Sequence, residues 1–120
     1  MKKIEAFEQA IENKVPNLRE AGINPTLFWA YRKLEDTGND KIDFNEVIWD
    51  EDIEAIAETL DANGITEFTI SCNFSGLIRT LVAFEKVGFK MAGTTQVNAN
   101  YTDIRTGKYA QVDALRMQKA

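Results

Sequence analysis

The sequence predicts an α/β protein: two helices, then a β-α-β-α-β-β run, with a mixed four-stranded sheet packed with helices. Three observations predict it. Apolar residues recur at helical spacing in four stretches, and each stretch is followed by a proline or a glycine. Short β-rich runs lie between the later helical stretches. The last two β-rich runs flank a turn-rich segment, as in a long-looped antiparallel hairpin.

Residues 2–14 read as an amphipathic helix. Ile4, Phe7 and Ile11 share one side, Val15 and Leu18 continue it, and Pro16 stops it. Asn24-Pro25 reads as an N-cap followed by a proline at the first helical position, opening a helix over 25–37. Leu27, Phe28, Tyr31 and Leu34 form its buried stripe, and Gly38 suits its C-terminus. KIDFNEVIW (41–49) reads as a strand, with Ile42, Phe44 and Ile48 on one face and Glu46 interrupting it. Asp50 is placed to cap the next helix, whose stripe is Ile53, Ile56, Ala57 and Leu60, with Glu54, Glu58 and Asp61 opposite. Asn63-Gly64 closes it. ITEFTIS (65–71) is a short strand, and Ser75 is placed to cap a helix running to Val87 and Gly88. Phe89, Met91, Gly93, Thr95 and Val97 alternate as a strand, 98–107 is a turn, and 108–117 is the last strand. Strand–helix alternation predicts right-handed crossovers in the middle, and the final pair predicts an antiparallel hairpin.

At 120 residues the chain predicts a single domain, 1–120, made of an N-terminal helical hairpin (1–40) and an α/β core (41–120). Hydrophobic residues make up 44% and charged residues 28%, as in ordinary globular proteins. No apolar run approaches the ~20 residues of a membrane span. The N-terminus has lysines but no apolar segment behind them, so the expected location is cytoplasmic, and a lone cysteine agrees. The net charge of −5, with Lys and Arg scattered, disfavours broad binding to nucleic acid or anionic lipid. With no histidine and one cysteine, the commonest general base and a zinc site are missing. No cofactor or metal is expected, though carboxylate-bound Mg²⁺ or Ca²⁺ stays open.

Ser71-Cys72-Asn73-Phe74-Ser75-Gly76 lies where a strand gives way to a helix. Ligands of open α/β sheets bind beyond the carboxyl ends of strands, and a cysteine there can become a nucleophile. Anion-cradling cysteine loops place an arginine after five residues; here Arg79 follows Cys72 after six, and the loop has one glycine. The competing reading is a small packed thiol at a strand end.

The element order over 41–117 resembles the second half of the GCN5-related N-acetyltransferase fold. Phe84-Glu85-Lys86-Val87-Gly88-Phe89 resembles the segment where helix gives way to strand in that superfamily. That resemblance implies a diverged acyltransferase-like enzyme with Glu46 available as a base. Two departures stand against the activity. The turn matching the acetyl-CoA loop is Trp49-Asp50-Glu51-Asp52-Ile53, which has three acids and no glycine, and the usual tyrosine acid falls on Phe84.

The acids Asp50, Glu51, Asp52, Glu54, Glu58 and Asp61 suit a solvated helix face or a dock for a basic partner. Phe28, Trp29 and Tyr31 are too close in sequence to share one core, which leaves an aromatic exposed or covered by another segment or subunit. Trp49 just precedes the acidic helix. Asn98, Asn100, Tyr101 and the turn Thr102–Gly107 read as a polar hairpin tip.

Over nearly its whole length, including KVPNLREAGINPTLFWAYR, FNEVIWDEDIEAIAETL and EFTISCNFSGLIRTLVAFEKVGFKMAGTTQVNANYTD, the chain resembles a family of small uncharacterised proteins from mobile-element regions of Gram-positive bacteria. The resemblance implies an accessory role and no activity. The sequence therefore points to a non-catalytic module that binds another protein or itself. Its expected surface is Trp29, Trp49, Asp50, Glu51, Asp52, Glu54 and Glu58. The alternatives are the acyltransferase-like enzyme and a reactive site at Cys72 with Arg79.

Overall fold

A computed structural model describes residues 3–120, so position 2 of the first predicted helix lies outside the described residues. Helix α1 (Glu5–Glu12) buries Phe7 and Ala10. It ends before Pro16 is reached. Lys14 takes the left-handed conformation, with φ of 51°. The Val15 N–H then bonds to the Ala10 carbonyl at 3.2 Å and the Lys14 N–H to Ile11 at 3.3 Å. That pair of bonds satisfies carbonyls at the helix end and turns the chain, so the proline is not the terminator.

Helix α2 (Pro25–Thr37) matches its predicted bounds. The Asn24 side chain accepts the Leu27 N–H at 3.1 Å, and Gly38 ends the helix with φ of 70°. The two helices meet through aromatic contacts: the Phe7 ring lies 5.6 Å from Phe28 and 5.3 Å from Tyr31. The Tyr31 hydroxyl donates to Glu8 Oε1 at 2.6 Å and accepts the Ile4 N–H at 3.2 Å. Burial, reinforced by the Glu8 bond, pushes this phenol up to about 12.

Strand β1 is only Asp43–Phe44, where a strand over 41–49 was expected. The Lys33 ammonium donates to Asn45 Oδ1 at 3.3 Å and to Glu46 Oε1 at 2.9 Å, drawing the chain out of the sheet after Phe44. Asp50–Asp52 forms a 3₁₀ turn leading into α3 (Ile53–Ala62), which buries the predicted stripe. No side chain caps α3, and Asp50 pairs elsewhere. Strand β2 (Glu67–Ile70), helix α4 (Leu77–Lys86), strand β3 (Phe89–Thr102) and strand β4 (Tyr109–Lys119) complete the chain.

The four strands form one mixed sheet in the order β1-β2-β4-β3. β1 and β2 are parallel, joined by α3, while β4 runs antiparallel to both β2 and β3. Alternation places Phe44, Phe68, Ile70 and Met117 on one face, where α3 and α4 pack side by side. Phe68 anchors this core, 5.4 Å from Phe44, 4.9 Å from Phe84 and 5.3 Å from Phe89. Asp43 and Thr69 point to the opposite face, where Ala30, Lys33 and Thr37 of α2 surround a small hollow with Asp43 and Asn98.

β3 runs through Thr102, although 98–107 was expected to be a turn. A clamp explains the difference. The Asn39 side chain donates to the Asn98 carbonyl and accepts the Asn98 N–H, both at 2.9 Å, as a neighbouring strand would. The Asn98 amide also donates to the Thr37 carbonyl at 2.7 Å.

Candidate functional site

The parallel strands β1 and β2 end on the same side of the molecule, the region where α/β sheets bind ligands. Two loops rise there. The loop after β2 contains the cysteine. Ser71 Oγ and Thr69 Oγ1 each donate to a different oxygen of the buried Asp43, both at 2.6 Å. Phe74 packs against the core, and its ring lies 3.8 Å from where a Cβ on Gly76 would stand. Cys72 is half-buried. The guanidinium of Arg79 is held by Asp50 at 2.6 Å. The structure thus gives Arg79 a carboxylate partner on another element rather than the thiol. Nor does Ser75 cap α4: Gly76 occupies that position with no side-chain cap, after a turn closed by the Leu77 N–H on the Phe74 carbonyl at 3.0 Å.

The loop after β1 contains the first apolar group. Ile48 is buried and anchors it, while Val47 and Trp49 face solvent, Trp49 at 63% exposure. Trp29, on α2, lies beside the start of this loop and lines a hollow with Asn45 and Glu46. It is 49% exposed, with its ring against Phe28 at 5.4 Å and the Arg32 guanidinium at 5.7 Å. One turn of α2 and one loop therefore set both tryptophans at the same strand end. Glu46 is exposed and paired to Lys33, and Phe84 is fully buried.

The outward sides of α3 and α4 continue this surface. Glu51, Glu54 and Glu58 are exposed, as expected. Asp52 is not: at 3% exposure it turns inward, and one of its oxygens accepts from Arg19 at 3.3 Å. The 3₁₀ turn rotates it away from its acidic neighbours. Two residues missed by sequence reasoning are Ile78 and Val82, 78% and 50% exposed and one turn apart on α4. Their signal was present. They lie about 100° round the helix from Leu77 and Leu81, so the apolar surface of α4 runs from its inner stripe on to an exposed flank.

Residues 26–119 match the model of a family described as Domain of unknown function (DUF7698). The chain belongs to that family. No curated protein and no solved structure matches it. In this family member the matched span starts just inside α2, so it contains both tryptophans, the acidic helix, Cys72 and the β3–β4 hairpin, and leaves α1 outside. No helix among the described residues is long and apolar enough to cross a membrane.

Away from the strand ends, an open hollow of about 510 Å³ lies between the two N-terminal helices, lined by Glu8, Ile11, Tyr31, Arg32, Glu35 and Gly38 among others. The hairpin tip is built by Asp103. Its side chain accepts the Arg105 N–H at 2.9 Å, its N–H bonds to the Lys108 carbonyl at 2.8 Å, and its carbonyl accepts the Gly107 N–H at 2.8 Å. The Arg105 side chain holds the Asp103 carboxyl below its usual range. Ile104, beside it, is 96% exposed.

Proposed function

We propose that this chain is a non-catalytic accessory module that binds protein through the carboxyl ends of β1 and β2 and the adjoining outer faces of α3 and α4. One observation carries the reading. Trp29, Val47, Trp49, Ile78 and Val82 are all exposed around that one end. Three polar groups there that could do chemistry are already engaged, Ser71 with Asp43, Arg79 with Asp50 and Glu46 with Lys33, while Cys72 is a free, half-buried thiol. Clustered aromatic and aliphatic side chains ringed by polar groups favour recognition of another protein surface. An accessory role in mobile-element biology rests on the whole-chain resemblance.

A photo-crosslinking residue in place of Trp49 tests the reading in cells that carry the protein. The expected result is a discrete protein adduct that disappears when Ile78→Asp and Val82→Asp are added, at positions that face solvent. An adduct pattern unaltered by those two substitutions overturns it.

A second reading, a diverged acyltransferase-like enzyme with Glu46 as base, is supported by the element order and by the Phe84–Phe89 segment at the junction of α4 and β3. The turn before α3 opposes it, because it carries three acids and no glycine, although Asp52 turns inward to Arg19 and Asp50 is paired with Arg79. Calorimetry with acetyl-CoA decides it: no heat at millimolar cofactor ends that reading.

A further inference from the structure

The charge of this chain is divided between two regions. Residues 90–120 hold five basic and two acidic side chains, and residues 1–89 hold nine basic and seventeen acidic ones. A net +3 hairpin is thus attached to a net −8 body. At the hairpin base Arg116 and Lys119 are already spent on Glu67 and Asp61, at 2.7 and 2.8 Å. Toward the tip the basic side chains are Arg105 and Lys108, against Asp103. From Asn100 to Tyr109 every residue except Asp103 is exposed. Asp103 and Gly107 do the work of the turn, so the turn itself has no need of Ile104, yet that side chain is 96% exposed with Tyr101 and Tyr109 nearby in the strands. The tip therefore offers an apolar point with a basic flank.

The surface proposed above offers the complement: Trp49, Ile78 and Val82, with Glu51, Glu54, Glu58 and Glu85 exposed on the same turn and helices and with Arg79 paired to Asp50. The tip of the same molecule is held away from it. The Asn39–Asn98 clamp ties the hairpin to the end of α2, whereas α3 and α4 cover the other face of the sheet.

We propose that the partner of this surface is a second copy of the chain, whose hairpin tip docks with Ile104 against Trp49, Ile78 and Val82 and with Arg105 and Lys108 toward the α3 acids. This rests on the protein-binding reading and names its partner. The contact joins two different patches, so it is head-to-tail and propagates to rings or filaments rather than stopping at a two-fold dimer. It brings a basic tip to an acidic acceptor although the copies repel overall, so salt weakens it.

Sedimentation velocity of the purified full chain tests this with two variants. The first, Ile104→Asp with Lys108→Glu, spoils the tip and leaves the Asp103–Arg105 turn in place. The second, Glu54→Lys with Glu58→Lys, spoils the acceptor at exposed helix positions. The wild type is expected to grow beyond a dimer with concentration, and to lose about tenfold in affinity as salt rises from ~0.05 to ~0.5 M. Each variant alone is expected to stay monomeric. Their equimolar mixture is expected to give a heterodimer that grows no further, because one good tip meets one good acceptor. A wild type that stays monomeric at ~1 mM, a dimer that persists in both variants, or a mixture that stays monomeric overturns the proposal. So does a tip that binds nucleic acid while the chain stays monomeric. A monomeric wild type whose residue 49 still crosslinks to a discrete partner refutes only the second copy and leaves the protein-binding reading standing.

Discussion

At the scale of single residues, some buried polar atoms act in matched sets, whereas Asp52 Oδ2 and Thr80 Oγ1 are buried without a hydrogen-bond partner. Asp43 is the acceptor for hydroxyls on two other elements, and its removal would leave Thr69 and Ser71 as unmatched donors. Tyr31 ties α2 to the first turn of α1. Its phenol is raised from 10.0 to about 12, so the folded state favours the neutral form. The associated stability is fully present below the unfolded value and is lost as pH rises through about 12. In an alkaline titration of the native protein, one of the three tyrosines is expected to ionise late, and Tyr31→Phe should remove that late step. The same substitution is expected to cost about 1 kcal/mol at neutral pH in a urea unfolding series. An unchanged titration curve would show that the Glu8 contact does not hold in solution.

At the scale of elements, ends are set by backbone geometry as much as by residue type. Asn24, Pro25 and Gly38 bound α2 where the sequence pattern puts them, because their preferences are local. Lys14 ends α1 against its own preference, since a side chain at positive φ is strained. Lys14→Gly is expected to raise stability by about 0.5–1 kcal/mol, read as a rise in melting temperature. A lower melting temperature would mean that the left-handed turn is not what stops the helix. β1 and β3 depart from their predicted lengths for tertiary reasons: Lys33 draws the chain off after Phe44, and Asn39 supplies the strand-like partner that carries β3 past Asn98.

At the scale of the whole molecule, one buried cluster includes Ile4 from the N-terminus and Met117 near the C-terminus. On that ground we propose that the chain folds as a single domain. Phe68 stands at its centre, against three other phenylalanine rings. Phe68→Ala is expected to destabilise by about 3–5 kcal/mol, and tryptophan fluorescence and far-ultraviolet dichroism should lose signal at one common midpoint. Two separated midpoints would show instead that the helical hairpin and the sheet unfold independently. The proposed surface belongs to this scale as well, since it spans α2, the loop after β1, α3 and α4.

The sequence by itself determined the fold class, the order of the elements, the inward stripe of α3 and, apart from the half-buried Leu34, that of α2, because apolar periodicity and cap preferences are properties of neighbouring residues. It also set the charge division between body and hairpin. Only the tertiary structure decided what the polar and aromatic residues do. Asp52 has the same side chain as Asp50, yet one is turned in toward Arg19 and the other holds Arg79. Trp29 and Trp49 are twenty positions apart, and α2 packing over β1 sets Trp29 beside Asn45 and Glu46, at the start of the loop that carries Trp49. Cys72 and Arg79 are seven apart, and helix α4 turns the arginine to a carboxylate instead. Pairing across the chain depends on where strands and helices cross, and that crossing is a property of the packed core rather than of any local stretch.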